Sequence, residues 1–470
     1  MPRASRKQIE NLVIIAIVVA GGLVRSVAYG DLRLSVGNIE TASYVAASRA
    51  PVFVWKAFAG KRLFTTNLIY KLANDPRQCP LLALSDPATG HGARPVIQSC
   101  FSTIALLQNV MAILAWCFLA WTTARWMQAF PARVGAAVVI LLFGFTPQVA
   151  EWESVLSPES LSVTGIVILL ALLQEIVLGL ACARYTLGDR RLRVLIAVWL
   201  FIFALWLFLR DVHLYAVPVT VVILALLLLA TDLRRRMTIW TVLGTLLLLF
   251  VLGYASAQAS HRATRYPLAH SFEDYILPFP ARVEFFKGFG MPDPTARGYQ
   301  HWLDNNATRT YAAFLITHPG FVLSTLADNL EYFRGEFVQQ YFEPPAPNNQ
   351  SLLLQLGEVI HPETLAIFLI DVLFIIGLWL VARKGAALQA RGWAWMASWF
   401  FLSSATMLLV GFFGDAEGAR RHIYPAVEAF RLLFWLLLFV YFDLVLAYLP
   451  SGKQSPTPAE IGAPNGILPG

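Results

Sequence analysis

The chain has 470 residues, of which 57% are hydrophobic and 14% charged, against roughly 25% charged in an average soluble protein. Its mean hydropathy of +0.60 leaves too much apolar surface for a water-soluble fold to hide behind so few charges, and the same figures exclude disorder, coiled coil and collagen. The net charge of +7 would suggest nucleic acid in a soluble protein, but here it is read as membrane orientation, with no nucleic-acid partner expected.

In chain order, windows of about 20 mostly apolar residues predict ten spans. They lie near 10–27, 99–122, 134–150, 159–182, 194–209, 212–230, 238–256, 364–382, 393–413 and 423–448. The runs are continuous and lack a period of two, so they are helices and not barrel strands. The first, Asn11 to Val24, follows Arg3, Arg6 and Lys7 and is read as an anchor; cleavage near Ala28 would leave the remaining topology unchanged. With the N-terminus cytoplasmic, the inner loops hold Arg125 and Arg133, then Arg184, Arg190, Arg191 and Arg193, then Arg234 to Arg236, then Arg383, Lys384 and Arg391. The outer turn between the third and fourth spans carries Glu151, Glu153 and Glu159 and no basic residue. Strict alternation therefore places the positive charge inside.

Loop length is asymmetric. Inner loops run about 7 to 11 residues, whereas 28–98 and 257–362 lie outside, so binding or chemistry is expected on the outer face. No internal repeat of spans is found, which argues against a transporter. In the first outer segment, Glu40 to Phe58 and Arg62 to Leu72 read as helices on the membrane surface, with Tyr44, Ala47, Val52, Trp55 and Phe58 along one side. Cys79 and Cys100 are the two cysteines outside the bilayer; they are either a disulfide or two unrelated thiols. Cys117 and Cys182 fall in spans as small core residues. The second segment carries Tyr275, Pro278, Phe279, Pro280, Phe285 and Phe286 and a helical stretch from Arg309 to Phe342, and is expected to cap the membrane helices.

Polar residues recur where spans meet the outer surface: Glu40; Glu151, Glu153 and Glu159; Arg210, Asp211 and His213; Asp415, Glu417, Arg420, Arg421 and His422. Ionisable groups at such depth are costly and often functional. Each also has a structural reading. Arg210 with Asp211 suits an interfacial ion pair, and Glu428 with Arg431, three apart, suits mutual neutralisation inside the membrane. His261, His270, His301, His318 and His361 are scattered and suggest no role.

The stretch Glu40-Thr-Ala-Ser-Tyr44, followed by Gly60-Lys-Arg62-Leu-Phe64 and Leu68-Ile-Tyr-Lys71, resembles the first outer loop of GT-C-type membrane glycosyltransferases. Trp152 with Val155-Leu-Ser-Pro-Glu159-Ser-Leu-Ser162 resembles their second loop, and Arg210-Asp211 with Tyr215 their third. Gly414-Asp-Ala-Glu417 with Arg421-His422 resembles their late acidic and basic turn. The aminoarabinose transferase, the protein mannosyltransferases and the lipid-linked-oligosaccharide glucosyltransferases share this architecture. In the family the first-loop acid is usually Asp, and Ser commonly precedes the second-loop Glu where this chain has Pro158.

The resemblance implies an all-α integral membrane fold of about ten transmembrane helices, with interfacial helices in the first outer loop and a small outer-face loop domain. It implies transfer of a sugar from a polyprenyl-phosphate donor to a glycan, lipid or protein acceptor, with inversion. Glu40 is then the general base, with Glu159 as a second catalytic carboxylate. Arg62, Arg210, Arg421 and His422 bind substrate phosphate, and Asp211, Asp415 and Glu417 support them or hold a divalent cation, Mg or Mn. The expected organisation is 1–256 as a transmembrane module with the catalytic first loop at 28–98, 257–362 as a cap, 363–449 as C-terminal spans and 450–470 as a disordered tail. The expected location is the bacterial inner membrane with the site on the outer face. A glycan polymerase or ligase, and a lipid or solute transporter, are the competing readings.

Overall fold

Continuous apolar runs satisfy their backbone hydrogen bonds internally only as helices, and the described residues are accordingly mostly helical. The computed structural model describes residues 6–38, 40–73, 80–81, 96–228, 237–334, 349–384, 388–416 and 419–448. The tail after 450, Arg234 to Arg236, Cys79 and Glu417 lie outside the described residues.

The protein is a polytopic helical membrane protein. Among the described residues, seven helices are long and apolar enough to cross a membrane: Arg6–Ala28, Ser99–Trp126, Pro158–Ala181, Met237–Ala259, Ala366–Arg383, Gln389–Gly414 and Arg421–Ala447. The expected third span is a bent pair, Phe130–Phe145 and Pro147–Ser154, turned by 50°, because Pro147 lacks the N–H that would continue the helix. The fifth and sixth are the 18-residue helix Arg190–Leu207 and the 12-residue helix Ala216–Leu227, joined through a short 3-10 turn, Asp211–Tyr215. The stretch expected to run as one helix from Arg309 breaks at Pro319, where Tyr299–Thr317 and Pro319–Asp328 meet at 88°. Residues 335–342 lie outside the described residues.

The bundle is close-packed through small residues. A Cβ at Gly144 would collide with the Trp116 ring, so glycine is what lets those two helices approach. Polar pins join helices where their ends meet. Arg25, buried in the first helix, donates to Glu153 at 2.6 Å and to Asn109 at 2.9 Å. Asp443 accepts from the backbone N–H of Gln128 and Ala129 at 2.9 and 2.7 Å, closing the start of Phe130–Phe145. Glu428 does pair with Arg431, at 2.8 Å, and also takes His361 at 2.6 Å. A buried carboxylate is thus doubly partnered, as burial of charge requires. Cys100 is disulfide-bonded, while Cys117 and Cys182 are free; Cys79 lies outside the described residues.

Two long-range connections bring the loops between the helices together. A two-residue ladder pairs Val36 with Ile97 and Gly37 with Val96, and the Val36 carbonyl also accepts from the Leu156 N–H at 2.9 Å. The backbone at Phe208 and Leu209 accepts from Thr65 N–H at 3.1 Å and from the Thr66 hydroxyl at 3.3 Å. The loops carrying Glu40, Glu159 and Arg210 are thereby stitched into one surface.

Candidate active site

Local sequence sets Glu40. Asn38 accepts at its side chain from the Glu40 N–H at 2.9 Å and at its carbonyl from Thr41 N–H at 3.0 Å, an Asx-type turn that starts the helix Thr41–Ser48. Glu40 sits at the N-terminal boundary of that helix, where backbone dipoles favour a carboxylate. One turn on, the Tyr44 hydroxyl donates to Glu40 Oε2 at 2.8 Å, the contact that an i, i+4 spacing provides. Lys71 closes the other end, donating to the Ser48 and Ala50 carbonyls at 3.1 and 2.7 Å. Tyr44 is buried among these groups and Trp55 is exposed, so the aromatic residues of this loop do not line one side as expected. The residues between them form a turn and not a continuous helix.

Arg62 arrives from the Gly60–Phe64 turn. Its Nε donates to Ser43 Oγ at 2.7 Å, its plane lies over the Tyr44 ring at 4.2 Å, and its Nη1 is 3.5 Å from Glu40. The turn is held by Arg262, which donates to the Gly60 carbonyl at 2.9 Å and grips Asp211 through Nε and Nη2, both at 3.0 Å. Asp211, expected at the site or paired with Arg210, is therefore spent on this bracket, because Arg262 stands closer to it. A Cβ at Gly60 would collide with the Lys56 carbonyl. Gly60→Ala is expected to open the turn, costing about 1–3 kcal/mol; a melting curve that falls together with a rise in donor KM checks this.

Glu159 comes from the second loop. Pro158 is the first residue of its helix, the position where a missing N–H costs nothing, so the departure from the family pattern leaves the carboxylate in place. Glu159 is 1% exposed. Its Oε1 faces Arg421 Nε at 3.4 Å and Arg210 Nη1 at 3.7 Å. Arg421, from the start of the last helix, also reaches Glu40 Oε1 at 3.0 Å and so bridges the two carboxylates. Arg210 is held in extended backbone at the start of the Asp211–Tyr215 turn, and its Nη2 lies 2.6 Å from His422 Nδ1. His422 Nε2 is 3.2 Å from Asp415, whose other oxygen is 3.1 Å from His270 Nδ1.

Glu40, Arg62, Glu159, Arg210, Arg421, His422 and Asp415 therefore lie in one network, reached from four separate parts of the chain. Asp211 is bracketed elsewhere. His213 turns away, its Nδ1 lying 2.7 Å from the Trp206 carbonyl and its ring stacked on the indole. Glu417 and the Arg420 side chain lie outside the described residues. Sequence reasoning assigns no role to Ser43, Arg262 or His270, and takes Tyr44 as a surface aromatic and a motif member without a role of its own. The i, i+4 spacing of Glu40 and Tyr44 is a usable signal. His270 and Arg262 carry none, because they reach the site only through tertiary contact.

The electrostatics are lopsided. Among the described residues, three guanidinium groups surround Glu40 and Glu159. Burial opposes ionisation of Glu40, but Arg421, Arg62 and the Tyr44 hydroxyl outweigh it and bring the carboxyl from its ordinary 4.5 down to about 2. Burial likewise opposes ionisation of Asp415, and hydrogen bonds from His422 and His270 hold it below the usual carboxylate range. Burial pushes the Tyr44 hydroxyl up, keeping it a donor to Glu40. Arg210 is 8% exposed, and its Nη1 has no hydrogen-bond partner among the described residues. An arrangement of this kind accepts an anion. Glu40 and Glu159 are both held by arginines, and among the described residues, which do not include Glu417, no group of three His, Cys, Asp or Glu is placed to share an ion.

No protein-family model matches the chain, and no curated protein matches it in sequence. Among solved structures it is similar to the oligosaccharyltransferase AglB from Archaeoglobus fulgidus in complex with an inhibitory peptide and a dolichol-phosphate, at 14% identity and a TM-score of 0.43, over 99% of this chain and 53% of that one. The same archaeal enzyme tethered to an acceptor peptide matches at 12% identity and a TM-score of 0.45, over 93% and 50%. ArnT from Cupriavidus metallidurans bound to undecaprenyl phosphate matches at 12% identity and a TM-score of 0.29, over 94% and 78%. The chain spans about half the length of the archaeal enzymes.

Proposed function

We propose that this protein is a membrane glycosyltransferase that moves a sugar from a polyprenyl-phosphate donor to a hydroxyl or amine of a glycan, lipid or protein acceptor. The observation that carries the reading is the set of three guanidinium groups gathered around Glu40 and Glu159, including a buried Arg210 nitrogen with no hydrogen-bond partner among the described residues. The donor phosphate supplies the acceptor oxygen that this Arg210 nitrogen lacks. The motif resemblance across the outer loops supports the same class. The site faces outward in the bacterial inner membrane, with the N-terminus cytoplasmic, on the positive-inside distribution of Lys and Arg.

The chemistry follows from charge. The acceptor O–H proton passes to Glu40, the acceptor oxygen bonds to the anomeric carbon, and the bond from that carbon to the phosphate oxygen breaks. The electron pair leaves with the polyprenyl phosphate, and Arg210, Arg421 and Arg62 stabilise the added negative charge by forked contacts. Attack opposite the leaving phosphate inverts the sugar carbon. Glu159, buried behind the arginines, orients them and does not meet the acceptor. No step is assigned to a divalent cation.

In the free protein Glu40 is a weak base because two arginines and a hydroxyl occupy it. An anionic donor competes for those arginines and restores its basicity, so the donor must bind first. This has a pH consequence. A base must be ionised to act, and kcat/KM reports ionisations of the free enzyme whereas kcat reports those of the complex. With free Glu40 ionising at about 2, kcat/KM is expected to stay flat as pH falls through the workable acid range. The acid limb of kcat should lie higher, nearer the ordinary carboxylate value. Coincident limbs for both parameters would remove the ion-pair exchange from the mechanism.

The test of the function is a mass-spectrometric comparison of membrane glycolipids and surface glycans from cells with the protein and cells without it. Loss of one sugar from an acceptor with accumulation of its polyprenyl-phosphate donor is the expected result. Redistribution of a lipid or solute across the membrane with no change in glycosylation would give the site to transport.

A further inference from the structure

The cap contributes to the network through a residue that no motif marks. His270 lies on the helix Pro267–Tyr275, which is fastened to the end of the penultimate span. The hydroxyls of Ser271 and Tyr311 both donate to the Phe413 carbonyl, at 3.0 and 3.1 Å. Phe272 is fully buried among Phe286, Trp302 and Tyr311. His270 is therefore carried by a firmly docked element, and it meets Asp415 across 145 residues of chain.

Proton positions along the chain of contacts are fixed by what each group can do. A guanidinium only donates, so the 2.6 Å contact from Arg210 Nη2 requires His422 Nδ1 to be an unprotonated acceptor. The His422 proton then sits on Nε2 and is donated to Asp415 Oδ2 at 3.2 Å. His422 is thus neutral, with both ring nitrogens engaged, and touches no substrate phosphate; its effect is on Arg210. The remaining Asp415 oxygen takes the proton on His270 Nδ1 at 3.1 Å. Asp415 directly follows the span Gln389–Gly414, and His270 is what holds the side of its carboxylate that faces away from His422.

We propose that His270 is a positioning residue for the transfer reaction: through Asp415 and His422 it fixes the orientation of Arg210, so that the anion-stabilising site is complete only when the cap is docked. This rests on the transferase reading of the same site. Because Arg210 matters most when the leaving phosphate gains charge, its misorientation lowers kcat more than it raises donor KM.

The experiment compares His270→Asn with His270→Leu. The two replacements have nearly the same shape, but Asn keeps an N–H donor for Asp415 and Leu does not. Transfer kinetics, binding of a polyprenyl monophosphate in detergent and melting temperature are measured on the full-length protein. His270→Asn is expected to stay within about threefold of wild type, and His270→Leu to lose about 30-fold in kcat with donor KM changed much less, a scale set by small displacements of a catalytic group. The monophosphate should bind His270→Leu several-fold more weakly than His270→Asn, at similar melting temperatures.

Equal behaviour of the two variants, whether both active, both inactive or both unfolded, overturns the proposal, since shape alone would then account for His270. If wild type transfers no sugar but the Asn and Leu variants still differ in monophosphate binding, the transferase reading falls and the positioning role stands. If wild type transfers sugar and His270→Leu matches it in rate and binding, the positioning role falls and the transferase reading stands.

Discussion

Purified Glu40→Gln protein is expected to lose turnover by about 10³-fold while its affinity for the polyprenyl-phosphate donor stays within about threefold, the scale of a lost general base. The substitution keeps the size of the side chain and the acceptor oxygen that Tyr44 needs, whose hydroxyl stands 2.8 Å away. It removes the group proposed to take the acceptor proton. It also releases Arg421 and Arg62 from a carboxylate held 3.0 and 3.5 Å away, so donor binding is not weakened and can tighten. Steady-state transfer kinetics with separate donor-binding titrations make the distinction. Retained turnover would assign the base to another residue.

Arg421→Ala is expected to act in the opposite way, through the donor. Arg421 touches both carboxylates, Glu40 at 3.0 Å and Glu159 at 3.4 Å. Removing it leaves Glu159, 1% exposed, with Arg210 at 3.7 Å as its remaining cation among the described residues, and an inadequately paired buried carboxylate is costly. It also deletes a forked donor proposed to hold the leaving phosphate. We expect kcat/KM to fall by about 10²–10³-fold, with both donor affinity and melting temperature reduced. Arg421→Lys keeps the charge but not the fork that spans two carboxylates, and should recover stability better than activity. An Arg421→Ala protein with unchanged kcat/KM would exclude Arg421 from the site. The two variants together separate proton removal from anion binding, because one spares the donor and the other does not.

The spans were legible because burial in lipid demands long apolar helices, a property of composition within each window. Ser99–Trp126 and Pro158–Ala181 needed nothing beyond it. Pro147 and Pro319 bend their helices for a reason local to each residue. The carboxylates and arginines at helix ends were legible as candidates because charge near a bilayer is unusual. Their partners were not. Nothing in the sequence distinguishes Asp211, which Arg262 takes, from Asp415, which lies between two histidines; both are acids at a turn between helices. His270 and Arg262 look like unremarkable members of a polar loop.

Hydropathy and short-range order are properties of the chain alone. They suffice to make this a helical membrane protein with long segments between its spans, and to say which ionisable side chains stand near the ends of those spans. Which acid faces which base is a matter of packing. An ion pair depends on a few ångströms of separation between groups that can lie hundreds of residues apart, as Glu40 and Arg421 do. That separation is set by how the helices pack, by the Val36 and Phe208 backbone contacts that join the loops, and by the helix Pro267–Tyr275 that brings His270 to Asp415.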